Sequence, residues 1–224
     1  MTRRPNFDRL APVYRWLERA TFGGLLHWCR TVHLPVLLGC RRALVVGDGD
    51  GRFLADLLRA DPAVAVDAVD VSPGMIAHAR RRVGRVPGAG DRVRFHAADA
   101  RTDPLPGGGY DLLVTHFFLD CFPADDLAAV VGRLAAVVAP GGRWLVGDFA
   151  LPRAGWRRAA ARVALAGMYA FFRAVTGIPG RELVDPGPLI AARSFRPVAE
   201  ASRLGGFLVA RLWEKAGGPE EARG

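Results

Sequence analysis

Short β-branched segments alternate with longer helical segments from Ala43 onward, and this alternation limits the possible folds more than any other feature of the sequence. It is typical of βαβ units, in which parallel strands are covered by helices on both faces of the sheet. The predicted strands are 43–46, 65–71, 93–97, 110–115 and 143–149, and the predicted helices are 53–60, 74–83, 124–138 and 156–176. Segments 195–204 and 207–213 predict a final antiparallel hairpin. We therefore expect an α/β fold with a mostly parallel, seven-stranded sheet.

The sequence predicts three parts. Residues 1–40 are rich in aromatic residues and leucine and read as an amphipathic helical extension, 41–215 form the α/β domain, and 216–224 form a flexible tail. The start of the chain lacks the apolar stretch of a signal peptide, and no apolar run approaches the roughly 20 residues that span a bilayer. This pattern predicts a cytoplasmic protein.

Composition excludes some classes of function. The formal net charge is +9, and Lys215 is the only lysine. The arginines are scattered through helical segments, whereas nucleic-acid binding typically requires a concentrated basic stripe, so a nucleic-acid partner is disfavoured. The cysteines Cys29, Cys40 and Cys121 are far apart and lack the spacing of a zinc site, so no metal is expected.

A glycine-rich turn follows the first predicted strand. Gly47, Gly49 and Gly51 alternate with Asp48 and Asp50, and a helix follows directly. Glycine permits a tight turn and a close approach to a ligand, and the helix start offers N–H groups. The dinucleotide fingerprint would place its third glycine at Arg52, so the spacing disfavours NAD.

Two further acids end the next two predicted strands. Asp70 is placed to accept hydrogen bonds from both hydroxyls of a ribose, although an acid here can also belong to a helix N-cap region. Asp99 is placed to accept one from an adenine amino group. The carboxyl ends of parallel strands share one edge, where open α/β sheets bind ligands. The glycine turn and both acids together therefore indicate an adenosyl site.

These motifs resemble those of class I S-adenosylmethionine-dependent methyltransferases. The segments GDGDGRF, VDVSPGMIAHAR, YDLLVTHFFLDCF and APGGRWLVGDF have the family's order and spacing, and the resemblance covers roughly residues 7–213. It implies a Rossmann-like methyltransferase fold with S-adenosyl-L-methionine as cofactor. The implied cofactor-binding residues are Gly47, Asp48, Gly49, Gly51, Asp70, Val71, Asp99, Ala100, Thr115 and Tyr14.

The opening segment NFDRLAPVYRWLE is similar to that of ubiquinone and menaquinone methyltransferase relatives. This resemblance implies that Phe7 and Tyr14 belong to a lid over the cofactor. One departure concerns the acidic residue that the family usually carries two positions before the first glycine, where this chain has Val45. Asp48 either takes over a contact to the cofactor's ammonium group or points to solvent.

The segment after the fourth strand is expected to face the acceptor. His116 is a candidate for proton removal or acceptor orientation, since imidazole can do either near neutral pH, and Asp120 is a second candidate. Structural roles also fit: hydrogen bonds can fix His116, and Asp120 can cap the turn. The Asn/Asp-Pro-Pro-aromatic sequence of enzymes that methylate amino groups of nucleic acids and proteins is absent. A small, hydrophobic acceptor methylated on oxygen, sulfur or carbon is therefore favoured.

Other interpretations stay open. The apolar run 163–172 fits a lid over a hydrophobic acceptor, a peripheral membrane contact or simple packing. The chain could also bind S-adenosylmethionine or S-adenosylhomocysteine without catalysis, methylate nucleic acid, or transfer an aminopropyl group. The last reaction calls for an acidic pair near the fourth strand, where Phe117 and Phe118 are apolar. Both a monomer and a homodimer fit the sequence.

Overall fold

The structure is a computed structural model that describes residues 24–152, 154–156, 158–159, 161–163, 165–167 and 183–217. The predicted lid residues Phe7 and Tyr14 lie outside the described residues. So do most of the apolar run 163–172 and nearly all of the predicted tail.

Seven strands form one sheet. The strands are β1 Arg42–Val46, β2 Ala65–Asp70, β3 Val93–Ala97, β4 Tyr110–His116, β5 Val138–Phe149, β6 Phe195–Arg203 and β7 Leu208–Lys215. The helices are α1 Leu25–Thr31, α2 Arg52–Ala60, α3 Pro73–Val83, α4 Ala124–Val137 and α5 Gly187–Ala191. The strand order is β3-β2-β1-β4-β5-β7-β6.

The first five strands of the chain are parallel, and β7 pairs antiparallel with both β5 and β6. This arrangement confirms the predicted mostly parallel sheet with an antiparallel end. The strand order reverses between β1 and β4. The chain continues from β1 to β2 and β3 on one side of this point, and from β4 to β5 on the other. Ligands of open α/β sheets bind at such a reversal, outside the carboxyl ends of the strands.

The central strands β1 and β4 are buried along almost their whole length, as their apolar sequences predict, whereas the edge strand β3 is mostly part-exposed. Phe53, Leu54 and Leu57 of α2 pack on one face with Val45 and Val114 of the sheet. On the opposite face, α4 packs its leucines and valines against the neighbouring positions of the same strands. Helix α1 packs near the C-terminal end of β5 and the N-terminal end of β7. The two hydrophobic clusters hold the carboxyl edge of the sheet in a fixed position.

The fifth strand begins earlier than predicted. Helix α4 ends at Val137, and β5 runs from Val138, although Pro140, Gly141 and Gly142 predicted a break before residue 143. Val138 pairs with Tyr110, and the next pair along the strands is Leu112 with Arg143, so the glycines form an irregular bulge within the strand. The other observed boundaries lie within a few residues of the prediction. Among the described residues, no helix combines the length and apolar character needed to cross a membrane.

Candidate active site

Three successive strand ends lie side by side at the carboxyl edge of the sheet. The Gly47 amide donates a hydrogen bond to the Val69 carbonyl at 2.9 Å, and the Ala98 amide donates one to the Asp70 carbonyl at 3.1 Å. These bonds continue the β1–β2 and β2–β3 ladders past the ends of the strands. The glycine turn, Asp70 and Asp99 are therefore neighbours, as the sequence predicted.

The three glycines of the turn all have left-handed backbone conformations, with φ of +71° at Gly47, +62° at Gly49 and +77° at Gly51. A Cβ atom at Gly47 would overlap the ring of Phe118, and one at Gly51 would lie 2.8 Å from the Cβ of Ala79. At Gly49 the nearest atom would be the Met75 sulfur at 4.0 Å. Gly47 and Gly51 are therefore required by packing, whereas the backbone at Gly49 is left bare for a ligand.

An arginine from a neighbouring helix fixes the turn. The guanidinium of Arg82 on α3 donates hydrogen bonds to the Asp50 carboxylate at 2.6 Å and to the Asp50 carbonyl at 2.9 Å. Arg52 at the start of α2 approaches the same carboxylate at 3.3 Å. Asp50 is thus held from two helices, and the backbone between Gly49 and Gly51 cannot swing freely.

Asp48 directs its carboxylate towards the start of α2. Its Oδ2 accepts a hydrogen bond from the Leu54 amide at 3.0 Å, in the first turn of α2, while Oδ1 is buried and has no partner among the described residues. Burial raises the pKa of this carboxyl to about 7, against opposing effects of the Leu54 amide and Arg30. In the structure the side chain thus holds the start of α2, and its contact to the cofactor's ammonium group stays a prediction.

Asp70 and Asp99 are both held by nearby donors. The Ser72 amide donates to the Asp70 carboxylate at 2.8 Å. The Arg101 amide and guanidinium donate to the buried Asp99 carboxylate, at 3.0 Å and 2.6 Å. The Asp99–Arg101 ion pair was not anticipated from the sequence. Both carboxylates nevertheless lie at the predicted edge of the sheet.

Val71 and Ala100 directly follow the two acids along the chain. Val71 is half-buried between the end of β2 and the start of α3. Ala100 is buried, and its carbonyl accepts a hydrogen bond from the Arg133 guanidinium of α4 at 3.0 Å. Both small apolar side chains therefore lie beside the acids, as the resemblance implied.

Thr115 and His116 end β4 with their side chains on opposite faces of the sheet. The Thr115 hydroxyl is fully buried and accepts a hydrogen bond from the Trp144 indole N–H at 2.9 Å. The Thr115 side chain thus packs towards α4, and its predicted contact with the cofactor stays a prediction.

His116 lies on the face that α1 and α2 cover. Its ring meets the Phe53 ring edge-on at 4.8 Å between centroids, and neither ring nitrogen has a partner among the described residues. Burial, with a further effect from Arg30, lowers the pKa of His116 well below its usual value. The imidazole is therefore neutral near pH 7 and chemically able to accept a proton.

The loop after β4 lies between the glycine turn and the end of β5. Phe117 has a left-handed backbone with φ of +51°, an uncommon conformation for an aromatic residue, and the next ring, Phe118, covers Gly47. Asp120 follows in a short 3₁₀ turn, Leu119–Cys121, and is buried. Asp120 interacts with Asp148 of β5, and burial raises the pKa of both carboxyls.

A cavity of about 300 Å³ lies at the C-terminal end of β5. Its lining is mixed. Val146, Phe149, Leu151, Leu183 and Val209 supply apolar surface, and Asp148, Asp185, Arg158 and Arg211 supply polar groups. Arg211 forms ion pairs with Asp185 at 2.9 Å and with Glu200 at 2.8 Å. A small molecule with an apolar body and one or two polar groups suits this lining.

Comparisons with known proteins agree with this geometry. Residues 43–142 match a methyltransferase domain family. A demethylmenaquinone methyltransferase of Thermus thermophilus is 35% identical over 151 residues, which are 66% of each protein. A ubiquinone/menaquinone biosynthesis C-methyltransferase of Geobacter sulfurreducens is 27% identical over 95% of this chain and 88% of its own length. The chain belongs to the class I S-adenosylmethionine-dependent methyltransferases.

The comparison with solved structures shows the same fold. An O-methyltransferase family protein from Burkholderia thailandensis superposes with a TM-score of 0.69 at 18% identity, covering 96% of this chain and 65% of its own. This methyltransferase spans 65% of the length of that protein and 66% of the length of the Thermus relative. At this identity the Burkholderia likeness concerns the fold alone.

The residues present in this methyltransferase fit the family's cofactor. The bare backbone at Gly49 leaves room beside the turn, and two carboxylates lie at the next two strand ends, where hydroxyl and amino donors of an adenosyl group can reach them. This fit rests on the left-handed glycines and on the shared edge. The Asp99 carboxylate contacts Arg101, and carboxylate oxygens retain capacity for a further donor.

Sequence reasoning missed two residues of the methyltransferase site. Asp148 is an acid inside the apolar strand Trp144–Phe149, and an acid in such a strand was a usable signal. The sequence identifies Phe118 only as an apolar residue after the fourth strand. Its position over Gly47 depends on the left-handed backbone at Phe117, for which the sequence offered no signal.

Proposed function

We propose that this methyltransferase transfers the methyl group of S-adenosylmethionine to a small, largely apolar molecule bound beside β5. One observation carries the proposal: the bare glycine turn and two carboxylates occupy three adjacent strand ends at the point where the strand order reverses. The nearby 300 Å³ cavity supplies a second, separate space. A donor site beside an acceptor site is the minimum that group transfer requires.

The roles of the donor-site residues follow from their positions. We assign Gly47, Gly49 and Gly51 to the methionine part of the cofactor, Asp70 to the ribose hydroxyls, and Asp99 to the adenine amino group. Val71 and Ala100 lie directly beside the two acids and would line the adenine ring. The predicted contact of Tyr14, in the segment proposed as a lid, stays a prediction.

The main contribution of the protein is positioning. The bound cofactor would supply an already activated methyl group on a sulfonium, so the methyl donor itself needs no further activation. Holding both reactants in line can contribute effective molarities of roughly 10⁵ to 10⁸ M. The Asp50 tether and the Phe118 ring restrict the turn and the loop between the two sites. We place His116 as a neutral neighbour that orients this loop.

The acceptor class is proposed from the cavity and the relatives together. The named activities of the Thermus and Geobacter proteins concern quinone biosynthesis. A ring with hydroxyl groups matches the apolar walls and the buried acid of the cavity. We therefore favour a reduced quinone or another phenol over nucleic acid or polyamines. The cytoplasmic location, the peripheral membrane contact and the monomeric or dimeric state stay predictions.

A methyl-transfer assay tests this function. The protein is incubated with S-adenosylmethionine and either 1,4-dihydroxynaphthalene, a small thiol, single-stranded DNA or spermidine, and the products are analysed by mass spectrometry. We expect a methylated naphthalenediol together with S-adenosylhomocysteine. Binding of S-adenosylhomocysteine without methylation of any acceptor would instead indicate a silent cofactor-binding protein, and methylated DNA would contradict the acceptor class.

A further inference from the structure

Asp148 is a buried acid without a conventional hydrogen-bond partner. The residue is 6% exposed, and no hydrogen bond of normal length and angle reaches either carboxyl oxygen among the described residues, although the Phe118 amide and the Asp120 carboxyl lie close enough to shift its pKa. The same residue forms part of the wall of the 300 Å³ cavity. An unsatisfied buried polar group costs about 1–3 kcal/mol. Such a group at a cavity wall indicates a position that a ligand's polar group completes.

The neighbour of Asp148 is a second carboxyl, that of Asp120. Two carboxyl groups can hydrogen-bond to each other only if one of them carries a proton. Burial is the largest cause that raises the pKa of both groups, and the charge of Asp120 raises the pKa of Asp148 further. The pair therefore holds one proton and one negative charge near neutral pH, as close carboxyl pairs do.

The other ionisable groups around Asp148 do not replace this pair. They are Cys121 after β4, Cys29 on α1, Arg211 on β7, and Arg158 and Asp185 at the cavity. Burial raises the pKa of both thiols, so they stay protonated. Arg211 lowers the pKa of Asp148, but this guanidinium already binds Asp185 and Glu200. Among the described residues at this wall, the carboxyl pair is the available base.

The pair lies close to the donor site. Val46 pairs with Thr115, and Thr115 pairs with Val146, so Gly47 and Gly147 are at the same level and two strands apart. Strands lie about 4.8 Å apart, which places the glycine turn roughly 10 Å from the backbone of Gly147, next to Asp148. A bicyclic aromatic ring with its hydroxyl group, together with the reach of the Asp148 side chain, spans such a distance. A hydroxyl at the pair and a reacting atom near the turn can therefore belong to one molecule.

We propose that the Asp120–Asp148 pair recognises a phenolic hydroxyl of the acceptor and removes its proton, with Asp148 making the contact. This inference rests on the proposed methyl transfer. The acceptor's O–H bond breaks, and its proton passes to the pair, which becomes neutral. The electrons left on the phenolate form the new bond to the methyl carbon, at oxygen or at a ring carbon. The electrons of the broken carbon–sulfur bond stay on sulfur as S-adenosylhomocysteine leaves.

The test compares phenols of different acidity. The Asp148→Asn variant keeps the size of the side chain and can still donate a hydrogen bond to Asp120, but its amide cannot accept a proton. General-base catalysis contributes roughly 10²- to 10⁴-fold, so we expect kcat/KM for 1-naphthol to fall by at least about 100-fold. For 4-nitro-1-naphthol, which is already ionised at mildly alkaline pH, the loss should shrink to roughly 10-fold or less. A purely structural role would lower both rates by the same factor.

Two measurements separate this inference from the proposed function. Calorimetry should give Asp148→Asn the same affinity for S-adenosylhomocysteine as the unchanged protein. Infrared spectra of the cofactor-free protein near neutral pH should show a protonated carboxyl that the variant lacks. The matched control is Asp61→Asn, which removes an equally buried carboxyl at the opposite edge of the sheet, where Asp61 holds the Gly39 amide.

Each outcome decides one of the two proposals. If the unchanged protein does not bind S-adenosylhomocysteine, the proposed function fails. If it binds S-adenosylhomocysteine but methylates no phenol, the carboxyl-pair inference is overturned and the donor site stands. Equal losses for both naphthols, or equal losses in the Asp148→Asn and Asp61→Asn variants, also overturn the inference.

Discussion

Gly49 differs from its two neighbouring glycines because no protein atom fills the space where a side chain would lie. We predict that Gly49→Ala weakens binding of S-adenosylhomocysteine by at least about 10-fold, since the new methyl group would occupy ligand space. A non-glycine residue with positive φ costs roughly 1–2 kcal/mol, so the unfolding temperature should also fall by a few degrees.

Gly88 provides a matched control for this prediction. It has a φ of +66° and open space at the Cβ position, but it lies in the loop before β3. Gly88→Ala should lower the unfolding temperature to a similar extent and leave the dissociation constant unchanged. Calorimetry and thermal unfolding of both variants measure these effects. An unchanged dissociation constant for Gly49→Ala would remove the turn from the cofactor site.

At the scale of single residues, the sequence predicted where residues lie in the fold better than where their side chains point. Asp70 and Asp99 lie where the strand pattern placed them, because parallel strands share one carboxyl edge. The inward direction of Asp48 was not predictable, since it depends on the left-handed backbone of the glycines on both sides. Asp148 was missed because its partner, Asp120, is distant in the sequence and becomes its neighbour only in the folded sheet.

At the scale of elements, the glycine turn depends on α3. Arg82 is the part of α3 that binds both the carboxylate and the carbonyl of Asp50. We predict that Arg82→Met lowers the affinity for S-adenosylhomocysteine about 3- to 10-fold, because hydrogen bonds to charged groups contribute about 1.5–3 kcal/mol and some are replaced by water.

The adjacent Arg81 serves as the control for the α3 tether. Its side chain is exposed and contacts His78 on the same helix. Arg81→Met makes the same chemical change without touching the turn, so titration calorimetry should show unchanged affinity. If both variants bind equally well, the tether plays no part in cofactor binding.

The short helix α5 was not predicted, but the alternation of strands and helices was sufficient to predict the order of the strands and of the helices between the parallel strands. It failed at the start of β5, where Pro140, Gly141 and Gly142 suggest a loop. The strand begins earlier because Val138 is buried and pairs with Tyr110, and this pairing between distant segments leaves no local signal. The glycines are absorbed as a bulge.

At the scale of the whole molecule, the buried carboxyl pair makes stability depend on pH. The raised pKa of Asp148 means that the folded protein binds more protons than the unfolded chain above the unfolded pKa of about 4. Stability is therefore lost as pH rises through this window towards the folded pKa. Asp148→Asn should lose the part of this pH dependence that comes from Asp148, while Asp48 and Asp120, whose pKa values burial also raises, keep theirs.

Thermal unfolding of both proteins between about pH 5 and about pH 8 measures the effect. One extra bound proton changes the free energy of unfolding by about 1.4 kcal/mol per pH unit. Within the window, the unfolding temperature of the variant should therefore rise relative to that of the unchanged protein by roughly 3–6 °C per pH unit. The contribution of His116 to the pH dependence of stability has the opposite sign, because its pKa is lowered. Both proteins share this contribution, so it cancels in the difference. A difference that is independent of pH would contradict the raised pKa.

The account as a whole depends on one adenosyl site formed by three strand ends. Titration calorimetry of the full chain with S-adenosylhomocysteine and with NAD, repeated on Asp70→Ala, tests it most directly. We predict clear binding of S-adenosylhomocysteine, no heat with NAD, and loss of most of the affinity in the variant, whose fold is checked by its circular dichroism. Undiminished binding by a folded Asp70→Ala protein, or a preference for NAD, would contradict the account.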